Sequence, residues 1–339
     1  MLLCEGEAEE VGQDASTFWF KREKKEERRV AIHDHVAALG CALEALRTAG
    51  MDEISAAGHR VVHGGPSLRE HHVLTPATLE TLRSAVEFAP LHLPPALAVI
   101  AALRKARPSL AQVICLDTAF HRGMPAVSRT LPLSADARKK GVERYGFHGL
   151  SLESILLQLN PVPARLVVAH LGNGSSITAV RDGRSIDTSM GLTPTGGIMM
   201  GTRSGDLDPG ALLFLMRNGF DKAETLEKLV DHQSGLMGVS ETGSDVRALL
   251  AARKEDPRAD LALSMFCYQA RKTIASMAAA LEGLDLLVFT GGIGEHAASL
   301  RDEICAGLAF LGQQRVEVLP AQEDLQIARI TKTLTQASA

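Results

Sequence analysis

Apolar positions along this chain recur with two alternating periods, a helical one of about three to four residues and a strand-like one of two. From Val30 to Ala49 the apolar residues Ile32, Val36, Leu39, Leu43 and Leu46 mark one helix face, and Gly50 follows as a C-terminal stop. Before it, Thr17-Phe18-Trp19-Phe20 reads as a short strand and the mixed-charge run Lys21 to Arg29 as a solvated turn. Ala57 to His63 reads as a buried strand running into the tight loop Gly64-Gly65-Pro66. A helix over Pro76 to Phe88, a Pro-rich turn over Leu91 to Pro95, a helix over Ala96 to Ala106 and a strand over Gln112 to Leu116 follow. That alternation predicts an α/β fold.

The second half is patterned more sharply. Leu166 to His170, Ser176 to Val180 and Arg184 to Asp187 predict an antiparallel meander joined at Gly172-Asn173-Gly174 and Arg181-Asp182-Gly183. A Gly-rich stretch (Gly191 to Gly210), one long helical region (Ala211 to Leu229), a Gly/Ser loop (Ser234 to Ser244) and a long helix (Leu261 to Leu281) come next. The apolar strand Leu286 to Phe289 then runs directly into Thr290-Gly291-Gly292-Ile293-Gly294-Glu295 and a helix, a place where converging backbone N–H groups can hold a nucleotide. A domain boundary near Gly149 fits both halves, giving domains 1–149 and 150–339, and no internal repeat or low-complexity tract is visible.

Composition narrows the function. The 339 residues, 45% hydrophobic and 22% charged, give room for two domains of ordinary size. With 36 Lys+Arg against 40 Asp+Glu, a formal charge of -4 leaves no global positive field for a nucleic-acid backbone. No apolar run reaches membrane-spanning length and the first ten residues are acidic, so a cytoplasmic protein without a membrane partner is expected. Five cysteines, far apart and without a Cys-x-x-Cys, suggest neither a disulfide framework nor a thiolate zinc site. One Trp, two Tyr and ten Phe against 30 Gly direct attention to the glycine turns.

Those turns carry the candidate chemistry. His170-Leu171-Gly172-Asn173-Gly174-Ser175-Ser176 can present several N–H and O–H donors to an anion, although the segment alone is equally an ordinary Asn-Gly hairpin. Neither a P-loop nor a Gly-x-Gly-x-x-Gly string occurs, so a phosphate site must be built another way. Arg60 and Arg203 each lie close to glycines, a setting that suits bidentate approach to a phosphate or carboxylate. Each could instead form a surface ion pair. His92 beside prolines, Asp117 at a strand end and His148 in Tyr145-Gly146-Phe147-His148-Gly149 join them; a single histidine of this kind is more often a core or capping residue, but several polar residues at strand ends and glycine turns converge on one chemistry.

In order, the strings HRVVHGG, PLHLPPAL, LDTAFHRGMP, RYGFHGLS, AHLGNGSS, IDTSMGLTP, MGTRSGDLDPG, SGLMGVSETGSDVR and FTGGIGEH resemble the motifs of the acetate kinase (acetokinase) family, from about Ala57 to Gly312. The resemblance implies two related ribonuclease-H-like α/β domains of the actin and sugar-kinase type around a nucleotide cleft, in a cytoplasmic homodimer. It implies reversible transfer of the ATP γ-phosphoryl to acetate, giving acetyl phosphate and ADP with Mg²⁺. By match to the family's motifs, Arg60 and Arg203 would bind the carboxylate and the migrating phosphoryl. His148 would hydrogen-bond the phosphoryl in flight, with His148 and Arg203 stabilising the transition state, Asp117 orienting the reacting groups and His92 in support. His170, Leu171, Gly172, Asn173 and Gly174 would clamp phosphate, while Asp245, Val246, Arg247 and Gly291, Gly292, Ile293, Gly294 would face adenosine. Val62, Leu91, Phe147 and Pro194 would form the pocket for the substrate methyl group, and Glu323 would hold the magnesium ion. One methylene is worth only about 1 to 3 kcal/mol, so propionate or butyrate kinase chemistry is an alternative.

The chain departs from that pattern at its start, where the family has Asn-x-Gly-Ser-Ser-Ser-x-Lys and this sequence has no such string. The expectation is a first domain incomplete at its N-terminus, short of central strands, with neighbours left to pair elsewhere. A non-catalytic nucleotide-binding or dimerising remnant is therefore the alternative from another functional class. The connection between Gly312 and Val316 is also shorter than in the family, which loosens the alignment of Glu323.

Overall fold

In the computed structural model, which describes residues 2–13, 15–312 and 315–337, the α/β alternation is realised in two units. The described residues up to Leu116 together with those from Asp324 onward form one unit, and Asp117–Glu323 forms the other. Against an expected change of domain near Gly149, the segment after Asp117 joins the second unit, where the turn Ala119–Gly123 packs on the helix starting at Gly149 and on the third meander strand.

The first unit opens with the antiparallel meander β1 (Glu5–Glu9), β2 (Ser16–Lys21) and β3 (Lys25–Val30). The charge run expected as a turn is thus mostly strand, with only residues 22–24 turning: Lys21 and Lys25 face each other in register, and their charges are met by Glu5 at 2.7 Å and Glu27 at 2.8 Å. Lys25 also lies over the Trp19 ring, 4.8 Å from its centroid. Because Val30 belongs to β3, helix α1 (His35–Thr48) begins later than the periodicity predicts, where Asp34 Oδ1 accepts the Ala37 N–H at 2.7 Å.

Next come β4 (Ala56–Val61), β5 (His72–Val73), α2 (Pro76–Ser84), α3 (Leu93–Ala106) and β6 (Ala111–Leu116). Pro94 and Pro95, expected in a turn, occupy the first turn of α3, where no backbone N–H donor is needed. The sheet order is β4-β6-β5, with β4 parallel and β5 antiparallel to β6. Buried β6 is central, and β4 is an edge.

In the second unit, α4 (Ala126–Arg129), α5 (Ala135–Lys139) and α6 (Gly149–Gln158) precede β7 (Arg165–Leu171), β8 (Ser175–Arg181) and β9 (Arg184–Thr188). The expected single helix over Ala211 to Leu229 is two, α7 (Pro209–Arg217) and α8 (Ala223–His232), and the expected loop from Ser234 contains α9 (Gly235–Ser240). The reason is local: residues 218–222 include Gly219 at φ +101°, which α-helical backbone does not allow. Then follow α10 (Val246–Ala252), α11 (Pro257–Ala280), β10 (Leu286–Thr290), α12 (Gly291–His296), α13 (Ala298–Ala306) and β11 (Arg315–Val318). Gln313 and Gln314, in the short connection singled out from the sequence, lie outside the described residues.

The five strands order as β11-β10-β7-β8-β9, with β10 parallel to both β7 and β11 and the meander antiparallel. Period two divides the side chains between two cores. Val167, Ala169, Ile177, Leu287 and Phe289 pack with Phe266 and Ile274 of α11, while Leu166, Val168, Leu286 and Val288 pack with Leu152 and Ile155 of α6. The last helix, α14 (Glu323–Gln336), starts where the second unit ends and returns to the first, where Gly58 lies so close to Ile327 and Thr331 that a Cβ would not fit.

Candidate active site

The meander places the phosphate-clamp candidates at the strand ends where β7 turns into β8. His170, near the end of β7, shares a hydrogen bond from Nδ1 with Ser151 Oγ of α6 at 2.9 Å. His148, just before α6, does the same with Ser176 Oγ of β8 at 3.0 Å. The two rings stack, with centroids 4.1 Å apart and planes inclined by 16°. With both Nδ1 atoms engaged, the Nε2 edges line a cradle of glycine backbone. A Cβ on Gly174 would lie 3.4 Å from His148 Nε2 and 3.3 Å from Arg203 Nη1. A Cβ on Gly291 would lie 3.1 Å from His170 Nε2, and one on Gly172 3.9 Å from both His170 Nε2 and the Gly292 nitrogen.

His148 sits in left-handed backbone at φ 58°, a conformation uncommon for a residue with a Cβ and typical of functional positions. The loop after β6 holds it there: the Gly149 N–H donates to the Asp117 carbonyl at 2.8 Å, and Asp117 itself is 1% exposed. Arg203 is fixed from its own loop by donating from Nη1 to the Pro194 carbonyl at 3.3 Å. Asp231 braces both sides of that loop, its carboxylate accepting from Thr195 Oγ1 and its carbonyl from Thr202 Oγ1 at 2.7 Å. Asn173 Oδ1 stands against Gly201, whose N–H donates to the Asn173 carbonyl at 3.2 Å. The second unit thus brings together His148, His170, Leu171, Gly172, Asn173, Gly174, Pro194, Arg203, Gly291 and Gly292.

At the glycine turn of α12, Glu295 Oε1 accepts both the Gly291 N–H and the Ala321 N–H, each at 3.0 Å. This ties the segment leading to Glu323 beside the turn that carries Ile293 and Gly294. Asp245 caps α10, accepting the Arg247 N–H at 2.8 Å, and its carboxyl is held below the usual range by the Arg247 guanidinium; Val246 beside it is buried. The first unit carries Arg60 on β4, with Val62, Leu91 and His92 on the loops after it and before α3. Arg60 borders a groove of about 810 Å³ between β4 and α14. Ser151, Asp231 and Glu295 receive no role from the sequence, where Ser176 stands among the hydroxyl donors of the glycine hairpin; Ser151 and Glu295 had a signal as polar members of the strings RYGFHGLS and FTGGIGEH, and Asp231 had none.

Among the described residues, no trio of His, Cys, Asp or Glu gathers into a metal cluster, and no helix is long and apolar enough to cross a membrane. Stacked imidazoles, an arginine and glycine backbone in this arrangement can donate several hydrogen bonds to an anion. The sequence profile of the acetokinase family matches residues 2–330. The chain belongs to the acetokinase family. A curated acetate kinase from Treponema denticola is 38% identical over an alignment covering 99% of this chain and 94% of its own. The crystal structure of Porphyromonas gingivalis acetate kinase, 34% identical, superposes with a TM-score of 0.87 over 99% of this chain and 94% of that one. A propionate kinase from Francisella tularensis, 35% identical, superposes with a TM-score of 0.92 over 98% and 93%. These full-length likenesses give this acetokinase the two-domain actin and sugar-kinase-like fold.

Proposed function

We propose that this acetokinase transfers the γ-phosphoryl of ATP reversibly to acetate, giving acetyl phosphate and ADP, by direct in-line displacement. The observation that carries the reading is the convergence of His148 Nε2 and Arg203 Nη1 on the Gly174 backbone, beside the His170 edge. A phosphoryl in flight spreads charge over equatorial oxygens, and donors fixed before it arrives stabilise that charge without reorganisation. His148 and Arg203 take that role, Asp117 orients the reacting groups, and Arg60 receives the acetate carboxylate with His92 in support. Val62 and Leu91 of the first unit, and Phe147 and Pro194 of the second, are the residues we assign to the methyl group. His170 to Gly174 clamp the phosphates, and Asp245 to Arg247 with Gly291 to Gly294 hold the adenosine.

Mg²⁺ in such sites binds through one or two carboxylates together with substrate phosphates and water, a donor set that needs no preformed cluster. The residues fit it: Glu323, half-buried, follows the segment that Glu295 holds against the Gly291 turn, and is the ligand we assign. When bound, the ion neutralises charge on the phosphate oxygens. The enzyme is assigned to the cytoplasm as a homodimer; the exposed apolar residues Leu213, Phe214 and Met216 of α7 support self-association. Propionate is a second acceptor, a reading favoured by the propionate kinase likeness.

Hydroxylamine trapping of acetyl phosphate in the presence of ATP, Mg²⁺ and acetate tests the assignment, with propionate in parallel. Hydroxamate formation that Arg203→Ala abolishes is expected. ATP binding without hydroxamate would leave a nucleotide-binding remnant instead.

A further inference from the structure

His121 belongs to none of the roles above, yet it is fully buried and both its ring nitrogens are engaged. Nε2 lies 3.0 Å from the Phe147 carbonyl and Nδ1 lies 2.8 Å from Ser185 Oγ of β9. A carbonyl only accepts, so the proton must be on Nε2, and Nδ1 must then accept from the Ser185 hydroxyl. The tautomer is fixed by the fold. Phe147 and His148 are consecutive, and the turn entering them is shaped to the same ring: Gly146 sits at φ +74°, and a Cβ there would lie 2.6 Å from His121 Cγ. The loop after β6 therefore grips the Phe147–His148 step twice, by the Asp117 carbonyl on Gly149 and by the His121 imidazole on Phe147.

We infer that His121 is a positioning residue for phosphoryl transfer, its Nε2–H holding the Phe147 carbonyl so that His148 keeps its left-handed backbone and Phe147 its place against the acyl group. The inference rests on the roles proposed above for His148 and Phe147. Without the donor, the Phe147 carbonyl loses a hydrogen bond made in buried surroundings, and one of the holds on the Phe147–His148 step is gone. A misplacement of about 1 Å at a reacting group is enough to lower turnover by up to about a hundredfold.

The test separates the two nitrogens. His121→Gln restores a donor near the Nε2 position; His121→Asn is too short to reach the Phe147 carbonyl; His121→Leu has no donor. Expected are near-native kcat for Gln, and a loss of about tenfold to a hundredfold for Asn and Leu with the KM for ATP unchanged. The ratio of kcat/KM for acetate and propionate should also shift in Asn and Leu, which a mere loss of folded protein would not do. Equal kcat in all three variants and the native enzyme overturns the inference. His148→Ala serves as reference: if it turns over normally, the His148 role falls, whereas slow His148→Ala beside normal His121→Leu overturns only the His121 inference. Should the variants not fold, ¹⁵N-histidine NMR of the native chain decides: one ring that stays neutral and protonated at Nε2 through the range where an ordinary histidine titrates is expected, and its absence refutes the assignment.

Discussion

In the second unit, β7, β8 and β10 are buried throughout most of their length and feed two cores, one against α11 and one against α6. In the first unit, the meander leaves β1 and β3 almost wholly exposed, with Phe18 of β2 its buried hydrophobic anchor, and β4 closes its sheet with an unshared edge. The side chains assigned to the site divide in the same way. His148, His170 and His121 are held by serines or carbonyls in buried surroundings, whereas Arg60 and Leu91 are exposed. A rigid, doubly covered sheet can keep imidazoles and glycine backbone in a fixed array, which is what stabilising a transferring phosphoryl requires. A surface with the role proposed for Arg60, meeting a small carboxylate, would need less of that order before the substrate arrives.

The contrast should be largest in the cores. Phe289→Ala, in the fully buried strand β10, is expected to cost about 3–5 kcal/mol in urea unfolding, against roughly 1 kcal/mol for Trp19→Ala on the half-exposed meander. Equal costs would break the comparison. Arg203→Ala should raise the barrier by about 3 kcal/mol, a fall in kcat of two orders of magnitude or more, while leaving the unfolding midpoint close to native. A kcat within a factor of about two of native would remove Arg203 from the mechanism.

Acidity sharpens the comparison next. Burial pushes the His121 imidazole down to about 4, although the Phe147 carbonyl and the Glu153 charge act the other way. The unfolded chain holds this proton at ordinary histidine values, so between pH 6.5 and 4 it binds more protons than the folded chain and stability falls with falling pH. The full contribution is present above about pH 6.5, and about 2–3 kcal/mol of it is lost by pH 4. The stability difference between the native enzyme and His121→Gln should therefore shrink over that range; a difference independent of pH would contradict the buried neutral ring. Smaller effects separate two glycines. Gly146→Ala meets both a positive φ and the His121 ring and should cost about 2 kcal/mol, whereas Gly40→Ala, inside α1 with open space around it, should stabilise by roughly 0.5–1 kcal/mol in thermal unfolding.

Much of this was legible in the chain itself. The meander from Leu166 to Asp187, the strand Leu286 to Phe289 and its glycine turn are local patterns, set by period-two burial and by Asn-Gly and Gly-Gly chemistry. Ordered motif strings named the family and the residues to examine. Local pattern was weakest at two places: β3 forms in a charge run because β2 supplies partners across the sheet, and the expected helix over Ala211 to Leu229 is broken locally by Gly219 at φ +101°. The pairing of Ser151 with His170, of Ser176 with His148 and of His121 with Phe147 spans from 19 to 28 residues of chain and depends on which strand lies beside which. The sequence determined the elements, the family and the chemical types at the site, because those depend on neighbours along the chain. Only the tertiary structure decided which nitrogen of each histidine faces the cradle, because that orientation depends on residues brought together when the sheet and α6 pack.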